Sequence, residues 1–325
     1  MSQKEGPDHN RPSWHDRLGK EGNQAMEDSI MVFSGRTICS KDIEMIKWAK
    51  KTYPRLSRSE LARTVCDLIA WTTPTGRAKL QQCLRLFKAL EDQGILELSA
   101  LDPQHRRKSA IKKSVTDFKK VEITGDVGSI QTLRLEIASP GEALGRWRAY
   151  MDQYHIPGNK LAFGPRLHYF VKSGGTELGC MQFSTSSSAL EERDKWIGWT
   201  PEKRKARLHL IVNNSRFLIF PWVHVKNLAS KALSTASKQI REDWLQEFGY
   251  EPVLLETFVD LKHFKGTCYR AANWTYLGDT TGRGRMNRDR KKALSRKAIF
   301  MYPLEDDFRG VLRGEKSCKV ADLDE

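Results

Sequence analysis

"SRFLIFPWVHVKNLASKALSTASKQIREDWLQEFGYEPVLLETFVD", residues 215–260, reads as a strand, a helix and a second strand. "SRFLIFPWVHV" (215–225) is a dense run of aromatic and β-branched residues, the composition of a buried strand. Asn227 caps the helix that follows and Gly249 stops it. Between them Leu228, Ala232, Ala236, Ile240 and Trp244 fall on one stripe at helical spacing. "PVLLETFVD" (252–260) then returns as a strand, buried by its apolar content. This order places the second half of the chain in a mixed α/β class.

The pattern extends outward on both sides. Downstream, "FKGTCYRAANW" (264–274) is a short helix, and "TYLGDT" (275–280) and "KAIFMYPL" (297–304) are the last strands. Upstream, "QTLRLEIAS" (131–139) is a strand and "GEALGRWRAYMDQYH" (141–155) a helix. "RLHYFVK" and "ELGCMQFS" flank "SGGT", a hairpin signal. "ALEERDKWIGWTPEKRKARLHLIVNN" (189–214) is a polar and aromatic helical insert.

Residues 40–98 form a separate helical unit. Ser40 caps "DIEMIKWAKK". Ser57 and Glu60 have capping-box spacing ahead of Leu61, Val65 and Leu68. After the turn "WTTPTG", Thr75 caps a third helix with Leu80, Cys83, Leu84, Phe87 and Leu90 as its stripe, ended by Gly94. "ILELS" (95–99) follows as a strand. Three helices and a strand are the order of a winged helix, and Arg77, Lys79, Gln81, Gln82, Arg85 and Lys88 on the third helix suit a nucleic-acid groove.

The expected layout is therefore a polar tail (1–36), a winged-helix-like unit (37–100), a basic linker (101–128), an α/β domain (129–304) and a C-terminal tail (305–325). No repeat of 20–50 residues is visible.

The chain carries 55 Lys+Arg against 40 Asp+Glu, a formal charge of +15 over 325 residues. That balance points to a polyanionic partner, DNA or another nucleic acid. The densest cationic segment is "TGRGRMNRDRKKALSRK" (281–297), where Arg283, Arg285, Arg288 and Arg290 suit phosphate and Gly282 and Gly284 allow close approach. The linker "DPQHRRKSAIKKSVTDFKK" (102–120) is a second basic run. Six scattered cysteines without a CxxC pair argue against a zinc site or a disulfide scaffold and for a reducing cytoplasm. The first residues have no apolar signal region, and no apolar run is long enough to span a bilayer.

Chemistry-bearing residues cluster late. Glu256 and Asp260 share one face of a strand at i,i+4. With Asp194 they offer oxygen ligands for Mg²⁺, or Glu256 alone offers a general base; pairing with basic neighbours is the plainer alternative. Cys268 is a small core residue rather than a nucleophile, and Trp196 and Trp199 suit core packing more than stacking on bases.

The strand–helix–strand order followed by Tyr269-Arg-Ala-Ala-Asn273-Trp274 resembles the GNAT acyl-CoA acyltransferase fold. That superfamily carries Gln/Arg-x-x-Gly-x-Gly/Ala where strand passes into helix; here "HVKNLA" has His224, Asn227 and Ala229 at those positions, so only the alanine fits. The resemblance implies acyl-CoA phosphates near Asn227, Leu228 and Ala229, and a general acid at Tyr269. A closer resemblance lies in "RDKWIGW", "NNSRFLIFPWVHVKNLAS", "VLLETFVD", "FKGTCYRAANW" and "LGDTTGRGR", five ordered blocks similar to the Druantia anti-phage family DruA, whose related domains accompany bacterial transposases. The resemblance covers most of residues 40–303. It implies a bacterial defence role alongside partner proteins, such as a helicase, and assigns no catalytic residue.

Three functions stay open at this point. The first is a nucleic-acid-binding defence component, with Glu256, Tyr269 and the arginine segment sharing one cleft. The others are an acyltransferase acting on nucleic acid or protein, and a metal-dependent nuclease or transposition accessory.

Overall fold

The computed structural model describes residues 29–73, 78–98, 120–156, 164–188, 190–280 and 295–317. The chain divides into two compact units: one holds 29–51 and 62–98, the other 52–61 and the described residues from 120 onward.

The first unit opens with a hairpin, β1 (Ser29–Phe33) and β2 (Arg36–Cys39). Its two turn residues, Ser34 and Gly35, both take positive φ, as a tight turn matched to strand twist requires. The polar tail therefore ends earlier than expected, because the alternating "SIMVF" and "RTIC" pair across that turn. Helix α1 (Ser40–Thr52) buries Ile43, Ile46 and Ala49, and Arg36 pairs with Asp42 in its first turn at 3.2 Å. Helix α2 (Arg58–Leu68) starts with the expected capping box: the Glu60 N–H donates to Ser57 Oγ, and that hydroxyl donates to Glu60 Oε2. Helix α3 (Leu80–Asp92) buries Cys83, Leu86, Phe87 and Leu90. Leu86 replaces Leu84 in the stripe. The helix begins at Leu80 rather than just after Thr75, since a bridge between Thr72 and Ala78 holds its entry; Thr75 itself lies outside the described residues.

The strand expected at "ILELS" is not formed through Leu98. The amides of Ile95 and Leu96 both turn back to the Leu90 carbonyl at 2.9 and 3.2 Å, so they close the helix instead of joining a ladder. Among the described residues this unit is a hairpin and three helices, without the wing strand after α3.

Beyond 52–61, the described part of the second unit resumes at Lys120, and β3 (Ile123–Asp126) falls within the stretch expected to be linker. Chain order then runs β4 (Leu133–Ile137), α4 (Glu142–Tyr154), β5 (Arg166–Ser173), β6 (Thr176–Thr185), α5 (Glu191–Ile197), α6 (Pro201–Arg207), β7 (Ile211–Ile219), β8 (Val223–Lys226), α7 (Leu228–Phe248), β9 (Leu254–Asp260), α8 (Thr267–Ala271), β10 (Thr275–Asp279), β11 (Lys297–Pro303) and α9 (Phe308–Arg313). Seven strands form one sheet in the order β10-β11-β9-β7-β6-β5-β4. All neighbours are antiparallel except β7 and β9, which run parallel and are joined through α7. A parallel pair needs such a crossover, and the deciding sequence supplied it.

"SRFLIFPWVHV" is two strands, not one. Pro221 lacks an amide to continue the ladder, and the Val223 N–H donates to the Phe220 carbonyl across the break. β8 then pairs with β3 in a separate parallel ribbon. Helix α7 buries the whole expected stripe, and Gly249 ends it in the left-handed region at φ 82. The core holds Trp147 and Trp244, each fully buried; a ring of this size removes about 150–250 Å² from water. Within the expected C-terminal tail, Phe308–Arg313 is instead a packed helix; residues 318–325 lie outside the described residues. In α9, Phe308, Val311 and Leu312 are buried, Phe308 stacks on Trp196 at 4.9 Å, and Arg309 and Arg313 donate to the carbonyls of Trp196 and Ile197.

Gly266, at φ 70, lets the chain enter α8 close against Phe300. A Cβ there would stand 2.7 Å from the ring. This contact fixes α8 over the end of the sheet, where the candidate site lies.

Candidate functional site

The sheet end formed by β9, β10 and β11 gathers an unusual surface. Asp260 organises the turn after β9: its carboxylate accepts from the Lys262 N–H at 3.1 Å and lies 3.2 Å from His263 Nδ1, while its carbonyl accepts from the amides of His263 and Phe264. Asp260 is opposite Lys297 on β11. The Lys297 amide donates to Thr280 Oγ1, and the Thr280 amide to the Lys297 carbonyl. Residues 280 and 297 are thus clamped together beside the 261–265 turn. The segment between them carries Arg283, Arg285, Arg288 and Arg290, which lie outside the described residues.

The turn at this end exposes Leu261 at 41% and Phe264 at 50%, and the edge strand β10 exposes Tyr276 at 41%, opposite Phe300. Around them Lys262, Lys265, Arg270, Arg296 and Lys297 are exposed. Arg270 lies 4.9 Å above the Tyr276 ring and 5.3 Å from that of Phe300. The Tyr276 hydroxyl donates to Asp279 at 2.7 Å, and that hydrogen bond holds the phenol pKa above its ordinary value. Cations exceed the nearby carboxylates Asp260, Asp279 and Glu192, the last of which approaches Gly278 on β10.

Tyr269 faces inward. Parallel pairing of β7 and β9 is confined to Ile211–Asn213 with Leu254–Glu256. Just past that point Thr257 Oγ1 donates to the Asn214 carbonyl at 3.0 Å and lies 3.4 Å from Tyr269 Oη, which donates to Asn214 Oδ1 at 2.7 Å. The Tyr269 ring stacks on Phe300 at 5.6 Å and meets Trp274 edge-on at 5.1 Å. Burial drives its pKa well above the free phenol value. Tyr269 is therefore a tie between α8 and the two strands, and both it and Glu256 are buried rather than set in an open cleft; the arginine segment lies outside the described residues. Tyr269→Phe leaves Asn214 Oδ1 without this donor and is expected to cost about 1–2 kcal/mol in chemical denaturation, with oligonucleotide affinity unchanged. A loss of function without loss of stability would return Tyr269 to a chemical role.

Glu256 is also buried and fully engaged. It accepts from the Ser187 N–H at 2.6 Å and from Arg193 Nη1 at 2.9 Å. Arg193, itself without exposure, turns its other edge to Asp194, which accepts from Nε and Nη2 at 3.1 and 3.0 Å. Arg204 and the Trp199 indole complete the shell of Asp194. Burial raises the Glu256 pKa, opposed by Arg193 and the Ser187 amide. Two of the three expected carboxylates are brought together, but an arginine stands between them where a cation would have to sit. Asp260 is held apart at the strand end. Among the described residues no group of three or more His, Cys, Asp or Glu is placed to hold a metal ion.

The sequence profile of the Druantia protein DruA family matches residues 89–293. The chain belongs to the DruA family. A search of curated proteins returns no match. Similar solved structures include an N-acetyltransferase from Staphylococcus aureus Mu50 (11% identity, 54% of this chain and 100% of that one, TM-score 0.36). Others are the ribosomal L7/L12 alpha-N-protein acetyltransferase RimL (12%, 54% and 96%, TM-score 0.32) and a Bacillus subtilis acetyltransferase in complex with CoA (9%, 54% and 100%, TM-score 0.31).

In this DruA-family chain the matched span includes the Arg193–Glu256 pair, the exposed aromatic end and most of the arginine segment. The junction expected to receive acyl-CoA does not fit a pyrophosphate cradle. Asn227 takes the left-handed backbone at φ 63 and its side chain makes no capping bond, but it puts a side chain where close approach wants glycine. Leu228 is buried and Ala229 half-buried. On α3, Arg85 and Lys88 are exposed and Lys79 is half-buried at the helix start; Arg77 lies outside the described residues. Cys268 is half-buried with its thiol pKa raised by burial, and His263 pairs with Asp260 rather than with it. Sequence reading missed Arg193, Phe264, Arg270 and Tyr276. Nothing local marks Tyr276, because Thr275 and Tyr276 are both exposed and the rest of β10 is half-buried, with no alternation. Among the described residues no helix is long and apolar enough to cross a membrane.

Proposed function

We propose that this chain is the nucleic-acid-binding component of a Druantia-type anti-phage system, working in the bacterial cytoplasm beside partner proteins such as a helicase. One observation carries the reading: exposed aromatic rings and unpaired cations gather at the sheet end that clamps the base of the arginine-rich segment. Among the described residues no carboxylate pairs with Lys262, Lys265 or Arg270. An unneutralised cluster of this kind favours a polyanion. Arg283, Arg285, Arg288 and Arg290 extend the same charge, and the exposed Gln81, Arg85 and Lys88 row on α3 (i, i+4, i+7) offers a second contact. The reading is tested by titrating a labelled oligonucleotide with full-length protein between 50 and 300 mM salt. Log affinity is expected to fall linearly with log salt; absence of binding, or binding indifferent to salt, would reject it.

A further inference from the structure

Among the large apolar side chains exposed in the described residues, only two are aromatic, Phe264 and Tyr276. Phe264 lies in the turn after β9 and Tyr276 on the edge strand β10, paired with Phe300 of β11; in the chain they flank α8, which packs against that same Phe300 through Gly266. Arg270, from α8 itself, spreads its guanidinium over Tyr276. Charge alone suffices to hold a duplex by its phosphates, whose bases are already stacked on each other and offer no free face. Exposed rings cost solvation and gain nothing from a phosphate. They gain from an unstacked base, which lies flat on an aromatic ring or on a guanidinium plane.

We propose that this surface takes single-stranded nucleic acid, with Phe264, Tyr276 and Arg270 as the stacking platform and Lys262, Lys265 and Arg296 along the phosphates. The inference rests on the nucleic-acid reading above and narrows its substrate class. The spacing of roles is consistent with single-strand recognition in general: a cationic track gives affinity without sequence choice, and ring faces accept any base. The Tyr276 hydroxyl is committed to Asp279 and Arg270 lies over one face of its ring, so a base meets this pair through the guanidinium plane or the ring's other face and not through the phenol oxygen.

The test is fluorescence anisotropy with a labelled 15-nucleotide oligothymidine and a labelled 15-base-pair duplex, at matched salt, on full-length protein. Wild type is expected to bind the single strand about ten-fold or more tightly than the duplex. Phe264→Ala with Tyr276→Leu should lower single-strand affinity about 30-fold, the scale of two lost base–ring contacts. Duplex affinity and the single-strand salt slope should stay unchanged, because the rings carry no charge. Tyr276→Phe keeps the ring and should bind as wild type, which separates stacking from loss of the Asp279 bond or of folding. Equal affinity for strand and duplex, or a preference that survives removal of both rings, would overturn the inference while leaving nucleic-acid binding standing. Binding of neither ligand would overturn the functional reading itself.

Discussion

Arg193→Met is expected to lower the stability of the second unit by about 3–5 kcal/mol near pH 8, the cost of leaving a buried carboxylate without its partner. Arg193 and Glu256 are both fully buried, 2.9 Å apart. An exposed ion pair of the same geometry is worth about 0–1 kcal/mol, so burial decides the size of the effect. The deficit should depend on pH with a definite sign. Burial already raises the Glu256 pKa, and loss of Arg193 removes the main opposing charge and raises it further. A raised folded-state pKa means that the native chain binds more protons than the unfolded one. Stability therefore falls as pH rises through the interval between the ordinary glutamate value and the folded one. The variant should sit closest to wild type near pH 5 and farthest at pH 8 in urea denaturation. Arg193→Met combined with Glu256→Gln should recover part of the loss at pH 8. A pH-independent deficit, or a double variant no better than the single one, would show that the two groups are not coupled. The pair pins α5 onto the middle of the sheet, and its role in this account is structural.

Replacing Arg283, Arg285, Arg288 and Arg290 together with Ala should reduce the log–log salt slope by roughly 3 for a single strand. At 0.15 M salt the affinity should fall about a hundred-fold. Melting temperature should stay near that of wild type, since the substitutions touch none of the core contacts described above. The two readouts separate phosphate neutralisation from unfolding. A weakened variant with an unchanged slope would mean that the arginines act through something other than charge. An unchanged affinity would remove the segment from the interface.

Much of the second unit was legible because its signals are local. The α7 stripe, the Gly249 stop and the "SGGT" hairpin each depend on residues within a few positions of one another. The errors came where a local signal was outvoted. Pro221 split one apolar run into two strands of different sheets. Ile95 and Leu96 have strand composition, but their amides were taken by the helix they follow. Residues 305–325 looked like a tail because α9 is short, and its burial depends on Trp196, more than a hundred residues earlier in the chain. The candidate site was half legible for the same reason. Basic clustering at 281–297 is a composition signal. The Arg193–Glu256 pair is separated by 63 residues; the apolar strand around Glu256 hints at burial, but nothing near Arg193 sets it apart from the charges around it. Phe264 and Tyr276 drew no reading of their own, because nothing in "FKGTCYRAANW" or "TYLGDT" says which rings stay exposed.

The central claim is that nucleic acid meets this chain at the end of β9, β10 and β11. Photo-crosslinking a single strand carrying 5-iododeoxyuridine to the full-length protein, followed by peptide mapping, tests it most directly. Crosslinks are expected in residues 261–280, at Phe264 and Tyr276 above all, and in 281–297. Crosslinks confined to 77–93 or to 102–120, or none at any salt, would contradict it.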